Sequence, residues 1–502
     1  LGQHPIISTL RTQINIMKRI TLLLTLALTT QLFAQEKQRV EETVKKATIK
    51  SHIGFLASDI MRGRDTPSPE LKIAAEYIKS RFEEYGVQSL SEMGGYLQPV
   101  PMMKIVPPTE GQITVGETAY KLLDDFLWMD GDKRQLEAPL VFVNFGMEGV
   151  TEKQVKGKVV IALCGDGESQ SPQKWFNQSK VKGKKLQEMG AVALIELYNS
   201  NKIPWRVLRG YLNREQVVLD DGGRTGFTRI WMNRSKEDAQ SLDQDDTLVK
   251  IAMELGDTRK FVSQNVVGYV EGADPKLKDE YIVYAAHYDH VGVGRADARG
   301  DTIYNGARDN AVGTVTVLSA AENLAQYPTK RSALFVLFTA EEKGLLGSQY
   351  YIENTGIDLD KIVYCFNSDN GGYNDTSLAT IIGLTRTTAE AMIKQSCKTF
   401  GLEAIEDPAP EQGLFDRSDN VRFAAKGIPA PTFSMGFTAF DKEITKYYHQ
   451  PSDEPESMDF DYLEKFFKAY VLSCRQIGNA DEAPFWVEGD KYYEAGVELY
   501  GE

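Results

Sequence analysis

A chain of 502 residues, 42% hydrophobic and 25% charged, has the composition of a soluble globular protein and is too long for one ordinary domain. Its formal charge of −14 argues against nucleic acid and anionic membrane as partners.

Taken in order, the chain opens on a targeting pattern. Met17-Lys18-Arg19 precedes the apolar run ITLLLTLAL, then TTQLFA ending at Ala34. A basic start, a short apolar run and a small residue predict a secretory signal peptide cleaved near Ala34. Residues 1–16 read as lying upstream of a start at Met17. The run is too short for stable membrane insertion. Cleavage removes three cations and no acids, taking the charge to −17. The expected location is the periplasm or the exterior. Export permits disulfides, but Cys164, Cys365, Cys397 and Cys474 are too sparse for a disulfide scaffold and match no metal motif. They read as free buried thiols, with a Cys397–Cys474 bridge as the alternative.

Residues 36–50 show helical apolar spacing. A second helix carries Ala74, Tyr77, Ile78, Phe82 and Tyr85 on one face, with Gly86 at its C-cap. Residues 94–102 predict an extended strand, whose prolines suggest a sheet edge. Between about Pro107 and Thr258 the texture changes to short β-like runs, at Gln112–Val115, Pro139–Asn144 and Lys158–Leu163. A helix at Lys180–Met189 and a buried strand at Ala191–Leu197 follow. This stretch holds no histidine and reads as an inserted β-rich domain. Its acidic run Asp238–Asp246 reads as a solvated loop.

From Val262 strands and helices alternate. Strands are predicted at Asn265–Val270, Tyr281–Ala286, Ser332–Phe338, Ile362–Phe366 and Ala430–Ser434. Helices are predicted at Ala311–Ala325, Gly344–Asn354, Thr387–Phe400 and Asp461–Ile477. The alternation predicts an α/β fold, a mixed, mainly parallel sheet flanked by helices. The tail after Ala483 is rich in aromatics that pack on the body.

The chemistry is concentrated between Ala285 and Asn370, with one late piece around His449. The stretch reads AAHYDH, GARDNAVG, FTAEEKGLLGS and CFNSDN, completed by YYHQPSDEP. His287, Asp309, Glu342, Asp369 and His449 combine imidazole and carboxylate as two zinc ions require. The first four closely follow strand-like runs, whose carboxyl ends converge on one crevice. Asp309 lies on a Gly-flanked turn, where a short carboxylate can bridge two cations. Glu341 and Glu342 follow the apolar strand ALFVLFTA. Adjacent side chains point differently, so one can ligate while the other serves as general base. Asp289 lies two residues from His287 and can accept its second N–H. Tyr448 can donate to a developing oxyanion. His52 reads as structural, and His290 as lining the cleft.

Together these segments resemble the secreted di-zinc aminopeptidases, the leucyl-type and aminopeptidase-Y-like exopeptidases of zinc-exopeptidase (phosphorylase/hydrolase-like) fold. The N-terminal LASDIMRGRD and GGYLQ segments and RSDNVRFAAKGIPAPTFSMG resemble the same family. The resemblance implies a zinc-peptidase domain over 35–108 and 258–482, with 1–34 upstream residues and leader. It further implies an inserted protease-associated domain at 109–257 and leaves 483–502 as an aromatic tail. It implies one zinc on His287, Asp309 and Asp369, and another on Asp309, Glu342 and His449. Asp309 bridges, Glu341 is the base, Asp289 orients His287 and Tyr448 stabilises the oxyanion. The implied reaction removes N-terminal residues from peptides with a free N-terminus, and Phe433–Phe440 shape the side-chain pocket. NSDN and RSDN depart from the usual pattern. Asn420 stands where a histidine is common, which bears on pocket specificity. Other readings remain open: a carboxypeptidase or dipeptidase with Arg386 or Arg417 holding a substrate carboxylate, a single-zinc glutaminyl cyclase, and a non-catalytic receptor-like module. Oligomeric state is not legible.

Overall fold

The computed structural model describes residues 31–501, apart from 91–92, 133, 147, 169–171, 201, 221–225 and 236–246. The basic and apolar parts of the expected leader and the acidic run 238–246 lie outside the described residues. Residues 31–43 are helical, and no described helix is long and apolar enough to cross a membrane. The chain divides into two compact units. One comprises Leu1–Val100 with Ser263–Glu502, the other Pro101–Val262.

Strands β1 (Leu97–Ile105) and β2 (Thr258–Val270) run across the boundaries of the first unit at Val100 and Ser263, and the unit holds β3 (Tyr281–His287), β4 (Ser332–Phe338), β5 (Ile362–Ser368), β6 (Leu378–Ile382), β7 (Glu403–Glu406) and β8 (Thr432–Met435) of the same sheet. Their order across the sheet is β7-β6-β8-β5-β3-β4-β2-β1. The pairs β3–β4, β3–β5, β5–β8 and β6–β7 are parallel, while β2–β4 and β6–β8 are antiparallel. The sheet is therefore mixed, as the alternation predicts.

Period-two geometry explains why the central strands read as unbroken apolar runs. In β4, Ala333, Phe335 and Leu337 enter one core, and Leu334, Val336 and Phe338 the other. The first core is closed by helices Lys46–Leu56, Pro69–Tyr85, Gly313–Gln326 and Phe460–Asn479. The second is closed by Leu346–Glu353, Asn420–Ala424 and the aromatic tail, where Trp486 and Tyr492 are buried. The helix Pro69–Tyr85 has the local signals to start and stop where it does. Ser68 Oγ accepts from Leu71 N–H at 3.0 Å, proline sits in the first turn, and Gly86 caps it at φ +77°.

The edge expectation for the proline strand holds for part of it. β2 flanks β1 on one side. On the other, ladder pairing with Gln216–Leu219 starts at Met102. Pro99 and Pro101, which lack an N–H, fall before that ladder. Strands β6 and β7 were not among the predicted elements. All four cysteines are free and buried.

The second unit carries an eight-stranded mixed sheet with the helix Pro172–Glu188. Its strand Val159–Leu163 pairs in parallel with Gln135–Phe142 and Ala193–Leu197. A buried ion pair joins Lys182 to Glu196 at 2.7 Å, and Trp231 Nε1 donates to the same carboxylate at 3.0 Å.

His52 is structural, as expected. Its ring nitrogens lie 2.6 Å from Tyr77 Oη and 3.2 Å from Tyr85 Oη. Burial, helped by the charge of Arg81, pushes its pKa down to about 4. On acidification the unfolded chain therefore takes up this proton first. The stability His52 supports is whole above about pH 6.5 and is lost as pH falls towards 4. Denaturant titrations at pH 7 and 4.5 should show wild type losing roughly 2 kcal/mol more than His52→Gln. Equal losses would contradict this account.

Candidate metal centre

The carboxyl ends of three adjacent strands place the centre. His287 is the last residue of β3, level with Phe338 of β4, and Glu341 and Glu342 follow just beyond. Asp369 directly follows β5. Asp309 comes from the turn Ala307–Val312 before the helix Gly313–Gln326. Gly306 enters that turn at φ +61°, and a Cβ there would lie 2.3 Å from Asp309 O and 2.6 Å from the His290 ring. Only glycine allows this approach. His449 follows the helix Lys442–Tyr447 at φ +54°, an uncommon conformation for a non-glycine residue.

The side chains form two groups that share Asp309. In the first, His287 Nε2 lies 3.4 Å from Asp309 Oδ1 and 3.2 Å from Asp369 Oδ1. In the second, His449 Nε2 lies 3.1 Å from Asp309 Oδ2 and 3.2 Å from Glu342 Oε1. A tetrahedral zinc shell with bonds of about 2.0–2.2 Å has edges of roughly 3.3–3.6 Å. The donor types and their separations therefore fit two zinc ions, with one Asp309 oxygen turned to each group.

The electrostatics call for compensating positive charge. Asp309, Glu341, Glu342 and Asp369 line one cleft, and such a density of carboxylates needs cations or protons to offset it. Burial opposes charge on His287, but the carboxylates of Glu341, Asp369 and Asp309 outweigh it and raise its pKa well above normal. His449 likewise resists burial and is raised to about 10 by Asp309 and Glu342. Burial raises Glu342, yet hydrogen bonds from His290 and His449 hold it well below the usual range. Among the described residues, Glu341 has no such side-chain partner. Burial lifts it well above the carboxylate range, against the charge of His287, with Asp369 and Glu342 adding to the lift. Bound cations would take the place of the imidazole protons.

All eight predicted site residues meet here, with one correction to the expected detail. The His287 ring faces the main chain of Asp289: Nδ1 is 3.2 Å from Asp289 O and 3.8 Å from its Oδ1. The Asp289 carboxylate instead accepts the Glu341 N–H at 3.0 Å. Asp289 thus steadies the histidine through its carbonyl and Glu341 through its side chain. Tyr448 stacks on His449 with ring centroids 4.1 Å apart, and its hydroxyl receives Arg417 Nη2 at 3.3 Å. Asn420 is buried and donates to Ala430 O at 3.1 Å; the cleft is lined instead by its neighbours Arg417 and Ser418. Of the expected Phe433–Phe440 wall, Ser434, Phe437 and Phe440 line the cleft, whereas Phe433 is in the core.

Three contributors are not evident from motif spacing alone. His290 is fully buried with Nδ1 2.9 Å from Glu342 Oε1, and it joins the second ligand group. Asp453 accepts the N–H of Arg308 at 3.0 Å and of Asp309 at 3.1 Å, and pairs with the Arg308 guanidinium at 3.1 Å. Arg64 is buried and donates to Leu56 O, Tyr288 O, Asn305 O and Gly306 O at 2.5–3.0 Å. Asp453 and Arg64 grip the Asp309 turn from two sides. The doubled histidine of HYDH and the acid four residues after His449 were the available signals.

Two imidazole–carboxylate clusters that share Asp309 thus sit at the strand ends of a mixed α/β sheet. Residues 265–472, which contain both clusters, match the model of Peptidase family M28. The chain is 26% identical over 341 residues to Aminopeptidase YwaD of Bacillus subtilis, covering 66% of this chain and 65% of that protein. It is 31% identical over 173 residues to a probable leucine aminopeptidase 2 of Aspergillus oryzae, covering 33% and 32% respectively. The matches thus span just under two thirds of the first relative and about one third of the second. Among solved structures, the aminopeptidase from Aneurinibacillus sp. strain AM-1 shares the fold. Its TM-score is 0.54 at 19% identity, covering 89% of this chain and 97% of that one.

Proposed function

We propose that this protein is a zinc-dependent aminopeptidase that removes N-terminal residues from peptides. The observation that carries the reading is the pair of ligand clusters meeting at Asp309, with Glu341 beside them in neither cluster. His287, Asp309 and Asp369 would hold one zinc, and Asp309, Glu342 and His449 the other. Zinc, when bound, polarises a carbonyl and lowers the pKa of water towards about 7. Glu341 takes a proton from the attacking water and returns it to the leaving amine. The Tyr448 hydroxyl donates to the oxyanion that develops on the scissile carbonyl. Ile382, Leu414, Phe437, Phe440 and Ile444 give the cleft an apolar wall for a side chain.

We read the Pro101–Val262 unit as a protease-associated insert, supported by its mixed sheet and its lack of histidine. We read the chain as exported to the periplasm or beyond, supported by the sequence pattern over residues 17–34.

Metal analysis together with a substrate panel tests the proposal. The expected result is two zinc ions per chain and hydrolysis of aminoacyl-anilides with free, but not blocked, N-termini. A chelator should abolish turnover and zinc should restore it. A single zinc per fully active chain would favour the cyclase reading, and cleavage of blocked peptides would exclude an aminopeptidase.

A further inference from the structure

The cleft contains one cation whose role is not accounted for by the hydrolytic machinery. Arg417 ends the short turn Leu414–Arg417 and lines the same cleft as the two ligand clusters. The turn is fastened from behind. Phe415 lies under the Arg386 guanidinium, 3.8 Å from its ring centroid, and packs on Trp486 and Tyr492. Asp416, the nearest acid in sequence, is taken by Lys491 at 3.2 Å and Tyr492 Oη at 3.2 Å. Arg386, the other candidate carboxylate holder, is itself engaged, donating to Asp490 at 2.6 and 3.0 Å.

Arg417 is different. Among the described residues its side chain makes one hydrogen bond, to Tyr448 Oη at 3.3 Å, and no ion pair. A guanidinium carries five donors in a planar fork that matches a carboxylate. The structure thus holds an exposed, mostly unengaged fork beside the tyrosine that flanks His449. The adjoining wall is apolar and suits an apolar N-terminal side chain, so a carboxylate at Arg417 would come from the following part of the substrate.

Building on the aminopeptidase reading, we propose that Arg417 is a substrate-carboxylate receptor, and that the cleft favours short peptides whose carboxylate reaches it. The carboxylate is either the C-terminus of a dipeptide or an acidic side chain at the second residue. Both present the same planar anion to the fork. When no carboxylate is bound, Arg417 rests on Tyr448.

Three substrates separate these cases: Leu-Leu, Leu-Leu-amide and Leu-Asp-amide. With zinc-loaded wild type, kcat/KM for Leu-Leu or Leu-Asp-amide should exceed that for Leu-Leu-amide by roughly 10-fold, mainly through KM. Charge-assisted pairs contribute about 10- to 100-fold, and an exposed site lies at the low end. An advantage of Leu-Leu alone assigns the C-terminal carboxylate, and one of Leu-Asp-amide assigns the side chain. In Arg417→Gln the ratio should fall to about 1, with Arg417→Lys in between. Ratios near 1 in wild type, or a ratio unchanged in Arg417→Gln, overturn the proposal. Calorimetric titration of the same peptides into zinc-loaded Glu341→Gln, with and without Arg417→Gln, needs no turnover. Equal affinities for acid and amide there overturn the carboxylate role. A preference for the acid that Arg417→Gln abolishes, in a wild type that hydrolyses no peptide, sustains the receptor and overturns the hydrolytic reading instead.

Discussion

Replacing Glu341 by glutamine should leave two zinc ions per chain and lower kcat by about 10²–10⁴-fold, the range that general acid–base groups contribute. Glu341 belongs to neither ligand cluster, so its loss removes no metal bond. Its backbone is pinned by the Asp289 carboxylate at 3.0 Å, which aims the side chain into the cleft. Burial and the neighbouring carboxylates raise its proton affinity, as a base that must recover and return a proton requires. The loss should appear in kcat more than in KM, because the group acts in the transition state. Stopped assays combined with elemental analysis measure both quantities. Full activity with two zincs would transfer the proton to another group, and zinc loss would make Glu341 a ligand.

The second large effect is expected at Asp453. Asp453→Ala leaves the buried Arg308 guanidinium without its carboxylate and the N–H groups of Arg308 and Asp309 without their acceptor. Breaking a buried pair in this way costs about 3–5 kcal/mol. The damage also reaches the metals. Asp453 lies four residues after His449 and binds the backbone of Asp309, so it fixes two ligand loops against each other. A fall of roughly 10- to 100-fold in zinc affinity should accompany the loss of stability. Asp453→Asn keeps one acceptor oxygen and should fall between. Competition against a chromophoric chelator reads the affinity, and denaturant titration reads the stability. An alanine variant with wild-type values of both would remove Asp453 from the metal scaffold.

His287, Glu342 and Asp369 were legible because each ends or closely follows an apolar run that reads as a covered strand. β4 shows this best: its seven residues are buried, split between two cores, and end three residues before Glu341. Asp309 was legible from the glycines around it. Strands β6 and β7 were not, because they are only five and four residues long and are set by their neighbours' pairing. Arg64 was invisible for another reason. Its partners are main-chain carbonyls, which leave no side-chain signature, and three of the four lie more than two hundred positions away. The role of Asp289 was half legible: spacing placed it beside His287, but spacing cannot say whether a carbonyl or a carboxylate meets the ring.

The reach of Arg64 has a consequence for biogenesis. On the ribosome its guanidinium emerges early, yet the carbonyls it binds at Tyr288, Asn305 and Gly306 follow 224 to 242 residues later. The whole Pro101–Val262 unit is translated in between. Arg64 therefore meets these partners only after the chain as far as Gly306 has emerged, and His449 follows 143 residues later still. The second ligand cluster is therefore complete only once His449 has emerged.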